Sequence, residues 1–461
     1  MRVLAVSLGC DKNRVDAEVM LGKLRSRGHT FTDEEEQAEA VIVNTCCFID
    51  AAKEESIEEI LSFEERRKSG ELKALIVTGC LAERYRAEII KEIPAVDAVV
   101  GVTAIDRIAE VLEQAAGGRL TGKQERVVIG EKDPPGHGNA ERVLTTGGHY
   151  EFLKIAEGCD KHCTYCVIPK IRGSYRSVPM EELVAEAQKL ADGGVTELIL
   201  VAQETTRYGV DLYGEKRLPA LLKALCAIDT LHWIRLLYCY PEEIDDALID
   251  VIASEKKICR YLDIPIQSGS DRILKRMGRR VNRAQIIELV DRLRTRIPGL
   301  CIRTTLIAGF PGETAADQRE SMDLVRTLRF DRLGVFTYSR EEGTPAAGFS
   351  DLVTARVMKT RRTKLMKLQQ EVVRETAETL VGTTMEAVIE GRIAEDCDPE
   401  NGPVYIARTE RDAPDVDGYL FLEGVPRSRD LLSGSFVRVR VTGVNGYDLT
   451  GVLDDENESA E

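Results

Sequence analysis

The chain has 461 residues, of which 43% are hydrophobic and 31% are charged, and its formal net charge at pH 7 is −15. This length is typical of about three domains, and the composition excludes a disordered or fibrous chain. Charged residues interrupt every apolar run before the ~18 residues that a membrane-spanning helix needs, so we expect no membrane segment.

The cysteine content gives an expectation about location. The run Ser7-Leu8-Gly9-Cys10 follows an apolar stretch that is too short for a secretion signal. We therefore expect a cytoplasmic protein. In that reducing compartment, clusters among the 12 cysteines indicate metal binding or catalysis rather than disulfides.

The first hundred residues alternate between predicted strands (2–8, 40–44 and 72–78) and predicted helices (16–27 and 51–67). A cysteine follows each strand, and we refer to Cys10, Cys46 and Cys80 as the strand-end cysteines. The carboxyl ends of parallel strands meet at one edge of a sheet, so these three thiols can converge on a metal site. The alternative is three small core cysteines that fall near strand ends. The adjacent Cys47 is expected to point away from the other three.

Residues 115–149 are rich in glycine and proline and indicate a linker with one isolated strand-like run at 126–129. Beyond the linker, a strand and a helix alternate six times. The predicted strands are 152–156, 197–202, 233–238, 261–266, 301–308 and 332–338. This repeat predicts a parallel sheet curled into an incomplete barrel, with its functional groups at the carboxyl ends of the strands.

A compact cysteine motif follows the first of these strands. Cys159, Cys163 and Cys166, the loop cysteines, have the spacing C-x3-C-x2-C. Structural zinc and ordinary iron–sulfur clusters use four protein ligands, so three thiolates leave one coordination position open for a ligand that reacts. The alternative is a zinc loop that borrows a distant Cys or His, although no second C-x2-C or H-x3-H pair is present.

Polar residues follow the later strands of this repeat. Gln203, Gln267, Thr305 and Gly309 are candidate ligand contacts, and the alternative is that they only fill the barrel mouth. Arg279 and Arg280 could reach a carboxylate, but the sequence favours an exposed basic turn.

The C-terminal region changes character after a long charged helix predicted over 354–380. Five short alternating strands predict a small closed β-barrel: 385–389, 404–407, 419–422, 436–441 and 449–453. Residues 382–461 contain 18 acidic residues, seven arginines and no lysine, a net charge of −11. Such a surface repels phosphates and attracts basic partners, and a frayed acidic end at 454–459 would account for part of the excess. We expect Asp412, Asp415 and Asp417 to capture a basic partner, unless they only form turns.

Together these motifs resemble the radical S-adenosylmethionine (SAM) methylthiotransferase family along the whole chain. The C-x3-C-x2-C motif with Tyr165 resembles the radical SAM signature, and the run 304–314 resembles a strand that contacts the adenine of SAM. Ser7-Leu8-Gly9-Cys10-Asp11-Lys12-Asn13-Arg14-Val15-Asp16, Ala202-Gln203-Glu204-Thr205-Thr206-Arg207-Tyr208-Gly209 and Ala413-Pro414-Asp415-Val416-Asp417-Gly418 are similar to the branch that modifies a ribosomal protein. Cys47 stands where that branch usually has glycine.

The resemblance implies an α/β fold with three domains. These are an N-terminal parallel α/β domain (1–115), a partial (β/α)6 radical SAM barrel (149–378) and a small antiparallel β-barrel called a TRAM domain with an acidic tail (379–461). Residues 116–148 are the expected linker.

The resemblance also implies cofactors, residue roles and a reaction. The loop cysteines would hold a [4Fe–4S] cluster that splits SAM into a carbon radical, with Gln203, Gln267, Thr305 and Gly309 as SAM contacts. The strand-end cysteines would hold a second [4Fe–4S] cluster that carries the transferred sulfur. The substrate would be the β-carbon of an aspartate in the twelfth protein of the small ribosomal subunit, free or assembled, with a flavodoxin or ferredoxin as electron donor. Direct nucleic-acid binding is not expected.

Two alternatives remain at this point. A tRNA adenosine methylthiotransferase would be expected to have a basic C-terminal barrel. A non-enzymatic iron–sulfur or zinc scaffold would be expected to complete its ligand sets with a fourth residue.

Overall fold

A computed structural model describes residues 1–130, 141–398 and 402–454, without the side chains of 394–398. The chain forms two parallel sheets, each of six strands, followed by one closed barrel of five strands. Among the described residues, no helix has the length and apolar composition that crossing a membrane requires.

The N-terminal sheet has the strand order β2-β1-β3-β4-β5-β6 and is parallel throughout. Its strands are β1 (Arg2–Ser7), β2 (Thr30–Phe31), β3 (Ala40–Thr45), β4 (Ala74–Thr78), β5 (Ala98–Val100) and β6 (Val127–Val128). Its helices are α1 (Asp11–Ser26), α2 (Asp50–Ser62), α3 (Glu64–Lys68), α4 (Gly79–Tyr85), α5 (Ala87–Glu92) and α6 (Ile108–Ala116). Strands β3 and β4 are buried along their whole length, as their unbroken apolar runs require in a sheet covered on both faces.

Two expectations for this region were wrong. The run at 126–129 is not isolated, because β6 pairs with β5 and completes the sheet. Helix α1 begins at Asp11 rather than at residue 16. The sequence pattern missed its first turns because they bury polar side chains such as Lys12, Asn13 and Asp16, which hide the helical periodicity.

The central sheet has the order β14-β13-β12-β11-β10-β7 and stays open, since β14 and β7 do not pair with each other. Its strands are β7 (Tyr150–Lys154), β10 (Glu197–Val201), β11 (Trp233–Leu236), β12 (Ile258–Asp263), β13 (Cys301–Ala308) and β14 (Arg332–Thr337), and a short pair of β8 (Ala156–Glu157) and β9 (Arg176–Ser177) stands beside it. The helices are α7 (Ile168–Ile171), α8 (Met180–Asp192), α9 (Val210–Tyr213), α10 (Leu218–Cys226), α11 (Asp246–Ser254), α12 (Asp271–Arg276), α13 (Arg283–Arg296) and α14 (Ala315–Leu328).

Strand β12 begins three residues earlier than the sequence predicted and ends at Asp263. Pro265 lacks an N–H for the ladder, so the regular strand stops before it, and the chain pairs with β13 again through a single bridge between Gln267 and Leu306.

The C-terminal region consists of α15 (Ala355–Glu378) and the barrel strands β15 (Thr384–Asp398), β16 (Gly402–Thr409), β17 (Leu420–Leu422), β18 (Phe436–Asn445) and β19 (Asp448–Leu453). The barrel closes in the order β15-β16-β17-β19-β18. One pairing differs from the all-antiparallel expectation. After its hairpin with β18, β19 runs parallel to β17 and so closes the ring.

The chain between β16 and β17, which we call the plug loop (410–417), closes the amino end of the central barrel. Tyr261 donates a hydrogen bond to Asp417 at 2.7 Å, and Asp412 pairs with Arg332 at the first residue of β14. The side chains of these two aspartates are only 3% and 4% exposed. The expectation that they capture a partner was therefore wrong, because arginine and tyrosine side chains inside the barrel already bind them. Asp415 is 54% exposed but pairs with Arg14 of α1.

Candidate active site

The strand-end cysteines lie at one edge of the N-terminal sheet, where β1, β3 and β4 end. Gly9 has a φ of +93°, and a Cβ at that position would lie 2.7 Å from the Cβ and 3.0 Å from the Sγ of Cys46. Only glycine allows this approach, which brings the loop carrying Cys10 against Cys46. Cys80 is the second residue of α4 and is buried.

Asparagine side chains hold these strand ends together. The Asn13 amide donates to the carbonyl of Leu8 at 2.8 Å and to that of Thr45 at 3.0 Å. The Asn44 amide in turn donates to the Asn13 carbonyl at 2.7 Å. The first turn of α1 is thus hydrogen-bonded to both neighbouring strand ends, and Cys10 immediately precedes that turn.

Cys46 and Cys47 occupy different environments. Cys46 contacts Gly9, whereas Cys47 is fully buried in the apolar cluster that includes Val77 and Leu81. Burial raises the pKa of the Cys47 thiol to about 12 and likewise raises that of Cys80 to about 12. The contact with Gly9 favours Cys46 as the member that faces Cys10.

The loop cysteines lie at the carboxyl end of the central barrel. Cys159 and Cys163 are buried, and Cys166 is partly buried. The loop is held by backbone bonds from Cys159 N–H to the Gly173 carbonyl at 3.2 Å and from Thr164 N–H to the Met277 carbonyl at 2.9 Å. Burial raises the pKa of the Cys159 thiol to about 11.

Four charged residues join the two cysteine sets, and we call Asp16, Lys154, Glu157 and Arg172 the bridge network. Three of them are buried, and Glu157 is partly buried. Arg172 donates to Asp16 at 2.6 Å, and its guanidinium lies 3.2 Å from Glu157, which precedes the loop cysteines. Lys154 contacts the same two carboxylates. Burial opposes ionisation of Glu157, but Arg172 and Lys154 overcome that effect and lower its pKa.

Arg172 also contacts the strand-end cysteines directly. Its Nη2 lies 3.4 Å from the Cys80 Sγ and donates to the Asn13 Oδ1 at 2.8 Å. One guanidinium therefore contacts Cys80, which is a strand-end cysteine, and Glu157, which shortly precedes the loop cysteines.

Each cysteine set offers three thiols, the donor type that iron–sulfur clusters use. Among the residues outside the gaps, no three His, Cys, Asp or Glu side chains converge on a point that one metal ion could occupy. A [4Fe–4S] cluster has a weaker requirement, because each thiolate binds a different iron. Two sets of three thiols, one beside an arginine that can bind a sulfur, match that requirement.

The predicted ligand contacts occupy the same end of the barrel but differ in their partners. Gln203 donates to Glu157 at 2.9 Å, and its buried Oε1 has no hydrogen-bond partner among the described residues. Gln267 bonds the Thr305 carbonyl through its backbone N–H at 2.8 Å. The Gly309 N–H donates to Glu313 at 3.0 Å, and a Cβ on Gly309 would lie 2.4 Å from the Met358 Cγ.

Arg279 is not part of an exposed turn, and that expectation was wrong; Arg280 is exposed. The Arg279 side chain is 1% exposed and lies over the Tyr240 ring at 4.4 Å. Its Nη2 donates to the Pro265 carbonyl at 3.0 Å, whereas its Nε and Nη1 have no hydrogen-bond partner in the described chain. Tyr240 in turn approaches the Cys163 Sγ at 3.9 Å. A buried guanidinium with free donors beside the loop cysteines indicates a site for an anionic group.

Sequence reasoning missed the bridge network. Asp16 lies within the quoted motif at Cys10, but nothing in the local sequence distinguishes Lys154 or Arg172 from surface cations. The signal exists only in three dimensions, because their carboxylate partners come from α1 and from β8.

Comparisons with known proteins agree with this geometry. Residues 2–101 match the uncharacterized protein family UPF0004, residues 153–325 match the Radical SAM superfamily and residues 381–453 match the TRAM domain. The chain is 56% identical to the ribosomal protein uS12 methylthiotransferase RimO of Lachnoclostridium phytofermentans, over 98% of this chain and 100% of that protein. It is 47% identical to the protein of the same name from Acetivibrio thermocellus, over 99% of each chain.

The chain belongs to the radical SAM methylthiotransferase family. It is an enzyme of that family, and the family implies binding of SAM and of a [4Fe–4S] cluster. Among solved structures, the radical SAM methyltransferase TsrM of Kitasatospora setae aligns with a TM-score of 0.55 and 16% identity, covering 75% of this chain and 73% of that one. At that identity the likeness shows the fold alone.

Proposed function

We propose that the chain transfers a methylthio group to the β-carbon of an aspartate in the twelfth protein of the small ribosomal subunit, uS12. The proposal is supported by the names of its full-length relatives. The observation that carries it is the 56% identity over 98% of this chain to a protein named for that reaction, and the contacts of Arg172 with both Cys80 and Glu157 fit a site that uses both cysteine sets.

We further propose that the site holds two [4Fe–4S] clusters, one on each cysteine set. With SAM bound, the clusters would supply a carbon radical able to open an unactivated C–H bond and the sulfur to be transferred. The protein's own part is positioning and exclusion of water. Asn13 and Asn44 fix the strand ends, and the plug loop closes the opposite end of the barrel.

Arg279 is the group we assign to the carboxylate of SAM. Its two unpaired donors lie in the pocket beside Cys163, and its charge is buried, so an anionic partner would offset the cost of desolvation. Gln203, whose Oε1 is unpaired, is a second contact, and Gln267, Thr305 and Gly309 are the further contacts in this proposal. A flavodoxin or ferredoxin is the electron donor in this proposal, which places the reaction in the cytoplasm.

Iron content tests the two-cluster assignment. Anaerobically reconstituted protein should carry about eight irons per chain. Replacing all three loop cysteines by Ala should halve the iron and abolish SAM cleavage, whereas replacing the three strand-end cysteines should halve the iron and leave cleavage intact. Among single variants, Cys46→Ser should lose the cluster on the strand-end cysteines, and Cys47→Ser should keep it. Zinc in place of iron would contradict the assignment.

Mass spectrometry tests the substrate. Tryptic peptides of uS12 from cells with the gene should carry one added CH2S unit on an aspartate, and peptides from cells without it should not. Nucleosides from tRNA of the same two strains serve as the control. A methylthio group that disappears from tRNA while uS12 stays unchanged would assign the chain to the tRNA-modifying branch.

A further inference from the structure

The first half of α15 carries an unusual concentration of positive charge for so acidic a protein. Residues 352–370 contain six cations and no acidic residue, whereas the whole chain has a net charge of −15. The cations are Arg356, Lys359, Arg361, Arg362, Lys364 and Lys367. Four of them, Arg356, Lys359, Lys364 and Lys367, form what we call the basic face.

The side chains of the basic face are available to a partner. All four are exposed, and none has a hydrogen bond or ion pair with the described part of the chain. They share one face of α15 with Ala355, Thr360 and Thr363. By contrast, Arg361 and Arg362 are used internally, since they bond Glu313 and the Val335 carbonyl.

The basic face begins beside the mouth of the barrel. Met358 packs against Gly309 at the carboxyl end of β13, and Arg361 donates at 2.9 Å to Glu313, which accepts the Gly309 N–H. Both contacts come from the first two turns of α15. Arg356 and Lys359, on the outer side of these turns, therefore flank the end of the barrel at which the loop cysteines lie. Lys364 and Lys367 continue the basic face along α15 towards Gln369, which donates to the Phe330 carbonyl ahead of β14.

We propose that the basic face binds the phosphate backbone of ribosomal RNA, so that the substrate is uS12 within the small subunit rather than the free protein. The proposal rests on the proposed function. From Arg356 to Lys367 the helix rises about 16 Å, which is long enough to follow several phosphates of one strand. A free ribosomal protein is basic and would be repelled by this surface, whereas RNA is attracted to it. The expectation of no nucleic-acid contact was drawn from the C-terminal barrel and does not extend to α15.

The test is binding of the full-length enzyme to purified small subunits as a function of salt. Replacing Lys359, Lys364 and Lys367 by Glu should raise the dissociation constant about tenfold or more near 0.1 M salt. It should also reduce the slope of log K against log salt by about 2–3. The matched control replaces Lys189, Lys223 and Lys256, three exposed lysines elsewhere on the barrel, by Glu, which gives the same net charge. The control should keep the wild-type slope.

Two further measurements separate the possible outcomes. Free ribosomal RNA should displace the wild-type enzyme from subunits, and it should not displace the variant with Glu at positions 359, 364 and 367. SAM cleavage without substrate should be equal in all three proteins. Equal weakening by the control, or competition by an acidic polypeptide but not by RNA, would overturn the proposal. A wild type that binds subunits through α15 yet never modifies uS12 would instead contradict the proposed function.

Discussion

At the scale of single residues, the site depends on polar groups that contact the candidate ligands. Arg172 binds the Cys80 sulfur, an asparagine and two carboxylates, and its side chain is 2% exposed. Hydrogen bonds and positive charge beside cluster sulfurs raise the reduction potential of a cluster, and residues outside the ligand set tune it in this way. Arg172 is therefore a positioning residue rather than a ligand.

We expect Arg172→Met to lower the reduction potential of the cluster on the strand-end cysteines and to make that cluster lose iron more readily. The measurement is a redox titration followed by electron paramagnetic resonance, in a background where the loop cysteines are replaced by Ala and only one cluster remains. Arg172→Lys keeps the charge but lacks the planar guanidinium whose separate nitrogens reach the Cys80 sulfur, Asn13 and the carboxylates together, so its effect should be intermediate. The matched control is Arg84→Met, because Arg84 is bonded to the Cys47 carbonyl. A shift as large in the control would contradict the role of Arg172.

The cysteines and the supporting residues differ in how well the sequence predicted them. The positions of the cysteines could be predicted, because each set lies at the ends of strands that the sequence pattern identifies. Arg172 and Arg279 could not be assigned in this way, since their burial depends on carboxylates and rings that other elements supply. The same limit explains Asp412 and Asp417, which look like solvent-exposed turn residues until the partner arginines are placed.

At the scale of elements, the segment that enters the central sheet is held by one buried arginine. Arg142 contacts Glu18 of α1 at 2.5 Å, Glu151 of β7 at 2.9 Å and Glu186 of α8 at 2.8 Å. Burial raises the pKa of Glu151 to about 7, although Arg142 acts in the opposite direction. Three carboxylates around one guanidinium leave an excess of negative charge.

We expect Arg142→Leu to lower the free energy of unfolding by about 3–5 kcal/mol at pH 8, because it leaves buried carboxylates without a cation. The carboxyl groups that are buried without a cation should bind protons at a higher pH in the folded variant than in its unfolded chain. The difference in the free energy of unfolding between the variant and the wild type should therefore shrink as the pH falls towards about 5. Urea unfolding at the two pH values measures both effects. The control, Arg66→Leu, removes a surface pair with Glu71 and should cost less than about 1 kcal/mol at either pH.

Regular elements were predicted better than their exceptions. Strand β13 has the predicted bounds because four of its eight residues are β-branched, and the barrel order follows from the repeat. The strand-like run of β6 was predicted, but its pairing was not, because that pairing depends on the free edge that β5 offers. The prediction also failed at the end of β12, where Pro265 cannot donate to the ladder.

At the scale of the whole molecule, the central sheet and the C-terminal barrel share a buried charge cluster. Glu197 at the start of β10 contacts Arg235 at 2.7 Å and Arg408 of β16 at 2.6 Å, and all three side chains are fully buried. Arg408 also contacts Glu390 at 2.9 Å. The two barrels are therefore joined by charges that neither could bury alone.

We expect Glu197→Gln to lower the free energy of unfolding by about 3–5 kcal/mol and to loosen the C-terminal barrel first, because two arginines lose their shared counterion. Limited proteolysis should then cut near 379–383 at a rate well above wild type. Glu386→Gln is the control at the same junction, where an exposed pair with His232 should contribute less than about 1 kcal/mol. Equal cleavage of the two variants would show that the buried cluster does not hold the barrels together.

The plug loop has a consequence for the order in which the protein is made. The ribosome completes the central barrel before it translates the last ~80 residues, which at about 5–20 residues per second takes about 4–16 s. Throughout that interval the amino end of the barrel stands open to water, with Tyr261 and Arg332 lacking their aspartate partners. Oxygen-sensitive cofactors that bind during this interval would lie in a barrel whose amino end is not yet closed by the plug loop. We therefore expect a chain that stops at Val381 to lose iron in air faster than the complete protein, even though every candidate cluster cysteine is present.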